Sequence, residues 1–396
     1  MSNGRSSDGD RFIPGFAAGA IAAAIAALAI VWLTGGFSSN GGVTTDAQTL
    51  IEQNYFRSVK PTVLENASIN GMISELKRRY DDRFSHYFDP KEYRQFATAN
   101  SGEFSGVGLT VNGVKAGLRV ASVLPNSPAK RADIKPNEVI VGVNGHSISG
   151  VSEDVAVSRI KGPPGTPVTL TIRSRGKGRP RQVHLKRATV KLPVASGHIA
   201  HAGPTKVAYV RFATFSSGSH GQLASEIQRL DGKGAKGLVL DLRGNPGGQV
   251  NEAVLAASLF LKKGQRVLST RGRTQGSKVY NAIGNPLPSE PTVVLIDHNT
   301  ASAAEILASA LEEHHVATTV GTRSFGKGTF QKVMSLPSGG ALDLTVGRYY
   351  TADGTSLLGK GITPQVPARD RPGTASDEAL QKALSVLAED VAVQNR

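Results

Sequence analysis

The sequence contains no cysteine among its 396 residues. This absence excludes disulfide bonds, a thiol nucleophile and any zinc or iron–sulfur site that needs cysteine ligands. No Gly-X-Y period accompanies the 45 glycines, which therefore indicate turns and close backbone contacts rather than a fibre. The apolar fraction of 39% excludes a wholly disordered polyelectrolyte. At ~100–200 residues per domain, a chain of this length has room for two or three domains.

Acidic residues are scarce relative to basic ones, with 31 Asp and Glu against 46 Lys and Arg and a net charge of +15. Residues 101–190 contain 14 bases and 5 acids, and 7 of these bases fall within 173–187. Alternation along strands predicts that several share one face of a hairpin: Arg173, Arg175, Lys177, Arg179 and Arg181. No aromatic residue is interleaved with them, which favours a solvated hairpin, near anionic lipid at most, over a nucleic-acid surface. We therefore expect no nucleic-acid partner.

Residues 12–33 are a long apolar run without charge. As a helix, these 22 residues would extend ~33 Å, enough to cross a hydrocarbon core of ~30 Å. Arg5 and Arg11 precede the run and the next base is Arg57. This asymmetry predicts a single transmembrane helix in the inner (cytoplasmic) membrane, with the rest of the chain on the periplasmic or extracytoplasmic side. A cleaved signal peptide is the alternative, since the run is rich in alanine.

The character of the sequence changes several times along the chain. The predicted segments are a cytoplasmic tip with its anchor or signal at 1–34, a flexible linker at 35–45, a helical N-terminal region at 46–100, a strand-rich domain at 102–188, an α/β core at 189–368 and a helical tail at 369–396. We expect the N-terminal helices and the tail helix, from 375 to 393, to offer surfaces for packing or for a homo-oligomer.

A glycine-rich turn opens the strand-rich domain, formed by Gly106, Val107, Gly108 and Leu109. Exposed backbone N–H groups in such a turn can receive a peptide carboxylate, and the strand edge that follows can accept a ligand as an additional strand. The phrases SPA, IKPNE and VNG then follow in the order found in PDZ domains. Residues 102–188 therefore resemble a PDZ domain, a small β-barrel, and a small barrel of another kind is the alternative.

Residues 205–331 alternate apolar strands with amphipathic helices. GLVLDL and TVVLID are typical of strands buried in a sheet, and each is followed by a polar turn and a helix. A variable basic stretch, 262–290, lies between them. This order predicts an α/β core.

The turn after TVVLID places Ser302 at the start of a helix. At this position its hydroxyl would be exposed, and the N–H of Ala303 and the helix dipole would face a developing oxyanion. Ser302-x-x-Glu305 is also the pattern of a capping box, in which the serine only caps the helix. Local sequence alone favours the cap.

Lys327 stands between Gly326 and Gly328, where a lysine without bulky neighbours can enter a crowded site. A buried lysine loses its proton more easily and can act as the general base for a serine. The nearby His298, His314 and His315 lack a clear Asp partner at a recognisable spacing, and Ser302 does not lie in a G-x-S-x-G turn. A solvated lysine in a turn is the simpler interpretation.

Four motifs weigh against the simpler interpretations of Ser302 and Lys327: DLRGNPGG from Asp241, NTASAAEI from Asn299, SFGKGTFQ from Ser324 and GKGITP from Gly359. With these motifs in order, and Lys327 25 residues after Ser302, residues 46–366 resemble the C-terminal processing peptidases, also called tail-specific proteases. The resemblance implies a ClpP/crotonase-like α/β protease core with an inserted PDZ domain. It implies a serine endopeptidase without metal or organic cofactor, which acts on proteins or peptides with free, apolar C-terminal tails and in some cases works with an adaptor protein.

The resemblance also implies a role for particular residues: Ser302 as nucleophile, Lys327 as general base, Gln331 as the group that orients Lys327, and an oxyanion hole from the N–H of Ala303 with that of Gly248 or Gly247. Two positions depart from the pattern, Ala304 and Glu313, and the second departure leaves any supporting role of Glu313 in doubt. In a straight strand Lys327 and Gln331 would lie ~13 Å apart, so their contact requires the chain to bend.

Two other functions are compatible with parts of the sequence. A membrane-tethered PDZ scaffold would bind protein tails without cleaving them, but it would have no need of Ser302, Lys327 and Gln331 together. An acyl-transfer enzyme could use a related α/β core, but the PDZ-like segment argues against it. We therefore expect an anchored, exported serine endopeptidase.

Overall fold

The structure, a computed structural model, describes residues 42–174, 179–284, 286–288, 290–371 and 376–394. The chain divides into two compact units, residues 1–83 and 84–396. The apolar run predicted to be a membrane anchor lies outside the described residues, as does the tip of the basic hairpin. Within the part that is described, no helix combines the length and the apolar character needed to cross a membrane.

The described part of the first unit, from residue 42 on, contains two helices, α1 (Val43–Asn54) and α2 (Pro61–Tyr80). Pro61 occupies the first turn of α2, where its fixed φ suits a helix and its missing N–H costs no hydrogen bond. Three bases lie in the last turn, where they complement the negative end of the helix dipole: Lys77, Arg78 and Arg79. The helix ends at Asp81, which has a left-handed conformation with φ 50°.

The second unit begins with β1 (His86–Phe88) and α3 (Pro90–Ser101) and continues into a small antiparallel barrel. The barrel consists of β2 (Glu103–Gly106), β3 (Leu109–Val114), β4 (Gly117–Val123), α4 (Pro128–Arg131), β5 (Val139–Val143), β6 (His146–Ser147), α5 (Glu153–Ile160), β7 (Pro167–Arg173), β8 (Arg181–Lys186) and β9 (Ala188–Lys191). The sheet order is β3-β4-β5-β7-β8, with β6 beside β5, and β2 pairs separately with β9. Strand β3 therefore lies at an edge of its sheet.

Two of the arginines in the basic hairpin segment are engaged within the barrel. Arg181 forms an ion pair with Glu138 at 3.1 Å. Arg187 is buried, and its guanidinium donates to the carbonyl groups of Ile160 at 2.7 Å and Pro167 at 2.8 Å. These charges stabilise the barrel, so they are not free to bind an anionic partner.

The α/β core predicted from the sequence is confirmed. Its elements are β10 (Ala195–Ala202), β11 (Thr205–Phe212), α6 (Ser219–Asp231), β12 (Leu238–Asp241), α7 (Val250–Ala257), β13 (Arg266–Gly272), β14 (Gly276–Asn281), β15 (Thr292–Ile296), α8 (Ala303–Glu313), β16 (Ala317–Gly321), β17 (Thr329–Ser335), β18 (Ala341–Tyr350), β19 (Val366–Pro367) and α9 (Glu378–Gln394). The likeness to a ClpP/crotonase fold stays a prediction.

A six-stranded sheet forms the centre of this core, in the order β10-β11-β12-β15-β16-β19. Strands β11, β12, β15, β16 and β19 are parallel, and β10 is antiparallel to β11. Every residue of β12 and β15 is buried, as expected for strands covered on both faces. Apolar residues of α6, α7 and α8 pack on one face, and those of α9 pack on the other.

A second, antiparallel sheet contains β1, β18, β13 and β14, with β17 also paired to β18. The hairpin of β13 and β14 occupies most of the basic stretch that interrupts the sequence pattern. Strands β17 and β18 follow directly after the Gly-Lys-Gly segment. Two features position the candidate site. The parallel strands end together at one edge of the central sheet, and the second sheet lies beside α8.

Candidate active site

Ser302 lies in the turn between β15 and α8, immediately before the first residue of the helix. Its backbone has φ 57° and ψ −118°, a conformation that non-glycine residues rarely adopt. Strained residues of this kind cluster at active sites, because the surrounding structure must hold them in place. The capping box predicted from the sequence is also present, and within it the Glu305 side chain accepts the N–H of Ser302 at 2.8 Å. The turn therefore presents Ser302 as more than a helix cap.

The loop of the DLRGNPGG motif lies directly against Ser302. A Cβ atom added to Gly247 would lie 2.8 Å from both the Cβ of Ser302 and the backbone nitrogen of Ala303. Such a close approach needs glycine, and φ at Gly247 is 94°. Asn245 ties the loop to the serine turn, since its carbonyl accepts the N–H of Ala301 at 3.0 Å.

The two glycines proposed for an oxyanion hole have different hydrogen-bond states. The N–H of Gly247 donates to Oδ1 of Asn245 at 2.8 Å and is therefore occupied. Among the described residues, no acceptor receives the N–H of Gly248 or that of Ala303. Gly248 is held by Phe215, whose carbonyl would lie 2.4 Å from a Cβ at this position. The backbone N–H groups of Gly248 and Ala303 are thus available as donors. Gly247 instead allows the loop to approach the Ser302 turn closely.

Lys327 is half-buried in the segment before β17. The glycines on either side of Lys327 pack closely against the backbone of a later segment. A Cβ on Gly326 would lie 2.7 Å from the nitrogen of Gly361, and a Cβ on Gly328 would lie 2.4 Å from the nitrogen of Leu358. Burial lowers the pKa of the Lys327 ammonium below its ordinary value, although Asp343 and Glu305 act in the opposite direction. The lysine thus has the environment that a general base needs.

The amine of Lys327 lies over an aromatic ring in this structure. Its Nζ atom is 5.1 Å from the centroid of Phe84, which packs edge to face with Phe325. No hydrogen bond joins Lys327 Nζ to the Ser302 hydroxyl or to Gln331 among the described residues. A contact with an aromatic face stabilises the protonated form of lysine. In this structure the Lys327 amine therefore lies against the Phe84 ring.

Glu305 connects the serine turn to the lysine segment. This fully buried carboxylate accepts the N–H of Ser302 at 2.8 Å and that of Lys327 at 3.1 Å, both on Oε2. Its Oε1 accepts the N–H of Gly326 at 2.7 Å and the hydroxyl of Ser324 at 2.6 Å. The sequence pattern identified Glu305 only as part of a capping box. Its contacts with the lysine segment had no signal in the local sequence.

Gln331 does not contact Lys327. Its amide donates to the hydroxyl groups of Thr329 at 3.3 Å and Thr345 at 3.2 Å. Strand β17 has a register shift between Phe330 and Gln331, but this irregularity does not bring the two side chains into hydrogen-bond contact. The two threonines bind the amide in this structure, and the role of Gln331 in orienting Lys327 stays a prediction.

Glu313 lies at the far end of α8 from Ser302. Burial raises the pKa of its carboxyl group, and the carboxylate accepts the N–H of Asp353 at 2.9 Å. Ala304, the other position that departs from the family pattern, is fully buried in α8. No cluster of three or more potential metal-binding side chains occurs in the described part of the chain.

The predicted peptide-binding turn lines a shallow apolar groove in the barrel. Gly106, Val107, Gly108 and Leu109 form one wall, and Val157 and Ile160 of α5 form the other. Gly108 has φ 81° and lies against Ser127, whose Cβ would be 2.1 Å from a Cβ added to this glycine. Because the edge strand β3 starts at Leu109, a peptide in this groove could pair with it.

Residues 206–368 match the sequence profile of peptidase family S41, and residues 96–173 match that of the PDZ domain. The chain is 35% identical to the carboxy-terminal processing protease CtpA of Bacillus subtilis over 80% of this chain and 66% of that protein. It is 36% identical to a carboxy-terminal-processing protease of Bartonella bacilliformis, over 77% of this chain and 69% of that protein. The chain thus spans about two thirds of the length of these relatives.

One solved structure, a photosystem II D1 C-terminal processing protease, matches with 27% identity and a TM-score of 0.48, over 88% of this chain and 97% of that chain. The matches in sequence cover both the barrel and the α/β core with its four motifs. The chain therefore belongs to the carboxyl-terminal processing proteases, the serine-type peptidases of family S41 that carry a PDZ domain.

Proposed function

We propose that this protein is an endopeptidase that cleaves peptide bonds with Ser302 as nucleophile and Lys327 as general base. One observation carries the proposal: the backbone N–H groups of these two residues donate to the same oxygen of Glu305, at 2.8 Å and 3.1 Å. Two residues far apart in sequence are thereby held close together at a buried site. An activated serine requires a base within hydrogen-bond reach of its hydroxyl, and this shared carboxylate supports the proposal by holding the backbones of Ser302 and Lys327 near each other.

In the proposed reaction the Ser302 oxygen attacks the carbonyl carbon of the substrate while Lys327 takes the hydroxyl proton. The N–H groups of Gly248 and Ala303 stabilise the oxyanion, since neither donor has an acceptor among the described residues. Lys327 returns its proton to the leaving amine, and an acyl ester of Ser302 remains. Water, activated by the same lysine, then releases the N-terminal product. The Lys327 side chain must leave Phe84 before the first step.

We further propose that the PDZ groove selects substrates with a free, apolar C-terminal tail. The apolar lining of the groove suits an aliphatic side chain, and the glycine-rich turn suits a carboxylate. Export by the segment at residues 12–33 is also proposed, on the strength of its apolar character and the charge asymmetry around it. Protease protection of intact cells or vesicles tests the orientation.

Cleavage of an unstructured polypeptide with an apolar C-terminus tests the central proposal. Full-length protein in detergent is compared with the Ser302→Ala and Lys327→Ala variants. We expect both substitutions to reduce cleavage by at least ~1,000-fold, because each removes a reacting group. Cleavage that persists in both variants would contradict the mechanism. Binding of the tail without cleavage by the wild type would indicate a scaffold.

A further inference from the structure

The hydroxyl group of Tyr349, in β18, has no role in the reaction proposed above. The side chain is 1% exposed. Its oxygen accepts the N–H of Gly328 at 3.1 Å and donates its proton to Oε2 of Glu305 at 3.3 Å. The backbone N–H of Tyr349 also donates to the Gly328 carbonyl, at 3.1 Å. Both backbone polar groups of Gly328 are therefore bound by this one residue.

Three successive N–H groups of the Gly-Lys-Gly segment end on this buried pair of side chains. Those of Gly326 and Lys327 donate to the two oxygens of Glu305, and that of Gly328 donates to the Tyr349 hydroxyl. The oxygen of Glu305 that receives the tyrosine proton also binds the N–H of Ser302. One continuous set of hydrogen bonds thus relates the lysine backbone to the serine backbone.

We propose that Tyr349 is a positioning residue, whose hydroxyl fixes the backbone of Lys327 relative to Ser302 through Gly328 and Glu305. The inference rests on the proposed function of Ser302 and Lys327. The hydroxyl, rather than the ring, is the important group, because phenylalanine would fill the same apolar volume. Burial of a phenol without hydrogen bonds would be unfavourable. Here the hydroxyl oxygen accepts the N–H of Gly328, beside Lys327, and the hydroxyl proton is donated to Glu305, which binds the N–H of Ser302.

The charges around Lys327 determine what loss of this hydroxyl does to the lysine. Glu305 of α8 and Asp343 of β18 favour the ammonium form, burial disfavours it, and the ring of Phe84 faces the Nζ atom. Without the tyrosine proton, the charge of Glu305 acts more strongly on Lys327. A less constrained segment would also admit water. Both effects raise the pKa of Lys327 towards its ordinary value.

The test compares Tyr349→Phe with a matched control, Tyr350→Phe, in the full-length chain. The ring of Tyr350 lies under the guanidinium of Arg271, at 4.9 Å, on the opposite face of β18. For Tyr349→Phe we expect kcat on an unstructured peptide to fall by about 10- to 100-fold with KM unchanged. We also expect NMR titration of ¹⁵N-labelled lysine side chains, with Lys327→Arg for assignment, to show a higher pKa for Lys327. Tyr350→Phe should change neither.

The titration does not depend on turnover, which separates the two proposals. A wild type that fails to cleave the peptide would contradict the endopeptidase, while a shifted Lys327 pKa would still support the role of Tyr349. An unchanged Lys327 pKa in folded Tyr349→Phe would overturn the positioning role. If that variant does not fold, Ser324→Ala removes another donor to Glu305. The pKa of Lys327 is then expected to rise in Ser324→Ala as well. An unchanged Lys327 pKa would contradict the claim that hydroxyl donors to Glu305 control the lysine.

Discussion

The site depends, at the scale of single residues, on one buried carboxylate and one half-buried amine. Glu305 is surrounded by donors, which offset the cost of burying its charge. No such set of partners surrounds the Lys327 amine in the described part of the chain, and burial lowers its pKa. The contrast assigns different tasks to the two groups: the carboxylate holds the backbone together, and the amine is free to exchange a proton.

Phe84 should control how easily Lys327 loses its proton. A ring beneath the amine favours the ammonium by ~0.5–1 kcal/mol, so Phe84→Leu should lower the pKa of Lys327. A general base works deprotonated, and activity therefore rises with pH through this pKa. We expect the rising limb of kcat/KM against pH to move to lower pH in Phe84→Leu.

A suitable control for Phe84→Leu is Phe96→Leu, which removes a ring that stacks on Phe88, at 4.6 Å. The Phe96→Leu substitution should leave the rising limb of kcat/KM at the same pH as in the wild type. A rising limb that stays fixed, or moves to higher pH, in Phe84→Leu would show that the contact with the ring does not govern the lysine.

Local sequence could predict the backbone around the candidate residues, whereas the roles of Ser302 and Lys327 came from the family resemblance. Ser302 follows a buried strand and precedes a helix, and the glycines beside Lys327 mark close backbone contacts. The contacts of Phe84 and Tyr349 could not be predicted, since Phe84 lies in the segment before β1 and Tyr349 lies in β18, both distant in sequence from Lys327. Gln331 shows the opposite case: family resemblance suggested a partner for Lys327, whereas nearby threonines hold its amide.

The decisive contact between structural elements is the one between the Gly247 loop and the start of α8. The loop follows β12, and α8 follows the neighbouring parallel strand β15, so both turns meet at one edge of the central sheet. Parallel strand order thus explains why two distant motifs combine into one site. Glycine permits the loop to touch the serine turn.

Substitution of Gly247 separates close contact from backbone strain. Gly247 and Gly234 have similar φ values of 94° and 88°, but a Cβ on Gly234 would meet nothing within 4 Å. Both alanine variants should lose stability by about 1–3 kcal/mol, measured by urea unfolding. Only Gly247→Ala should lose activity, by ~100-fold or more, because it displaces the oxyanion donors. Equal loss of activity in the two variants would contradict the proposed hole.

Two further connections join the parts of the second unit at the scale of the whole molecule. Arg243, at the start of the DLRGNPGG loop, binds both Asp241 at 2.7 Å and Asp377 at 2.8 Å, so the base of the loop is fastened to the start of α9. The carbonyl of Asn100, at the entrance to the PDZ barrel, accepts from the side chain of Gln249 at 3.0 Å. Gln249 follows Gly248 directly. The end of α3, which leads into the barrel, is therefore attached beside the proposed oxyanion hole.

Trapping the acyl-enzyme tests the central claim most directly. Full-length protein is mixed with an unstructured peptide that has a free, apolar C-terminus, quenched in acid after a short time, and analysed by mass spectrometry after digestion. The account predicts that the N-terminal part of the peptide is esterified to Ser302 in the wild type and not in Lys327→Ala. Cleaved peptide without an adduct, together with undiminished cleavage by Ser302→Ala, would contradict it.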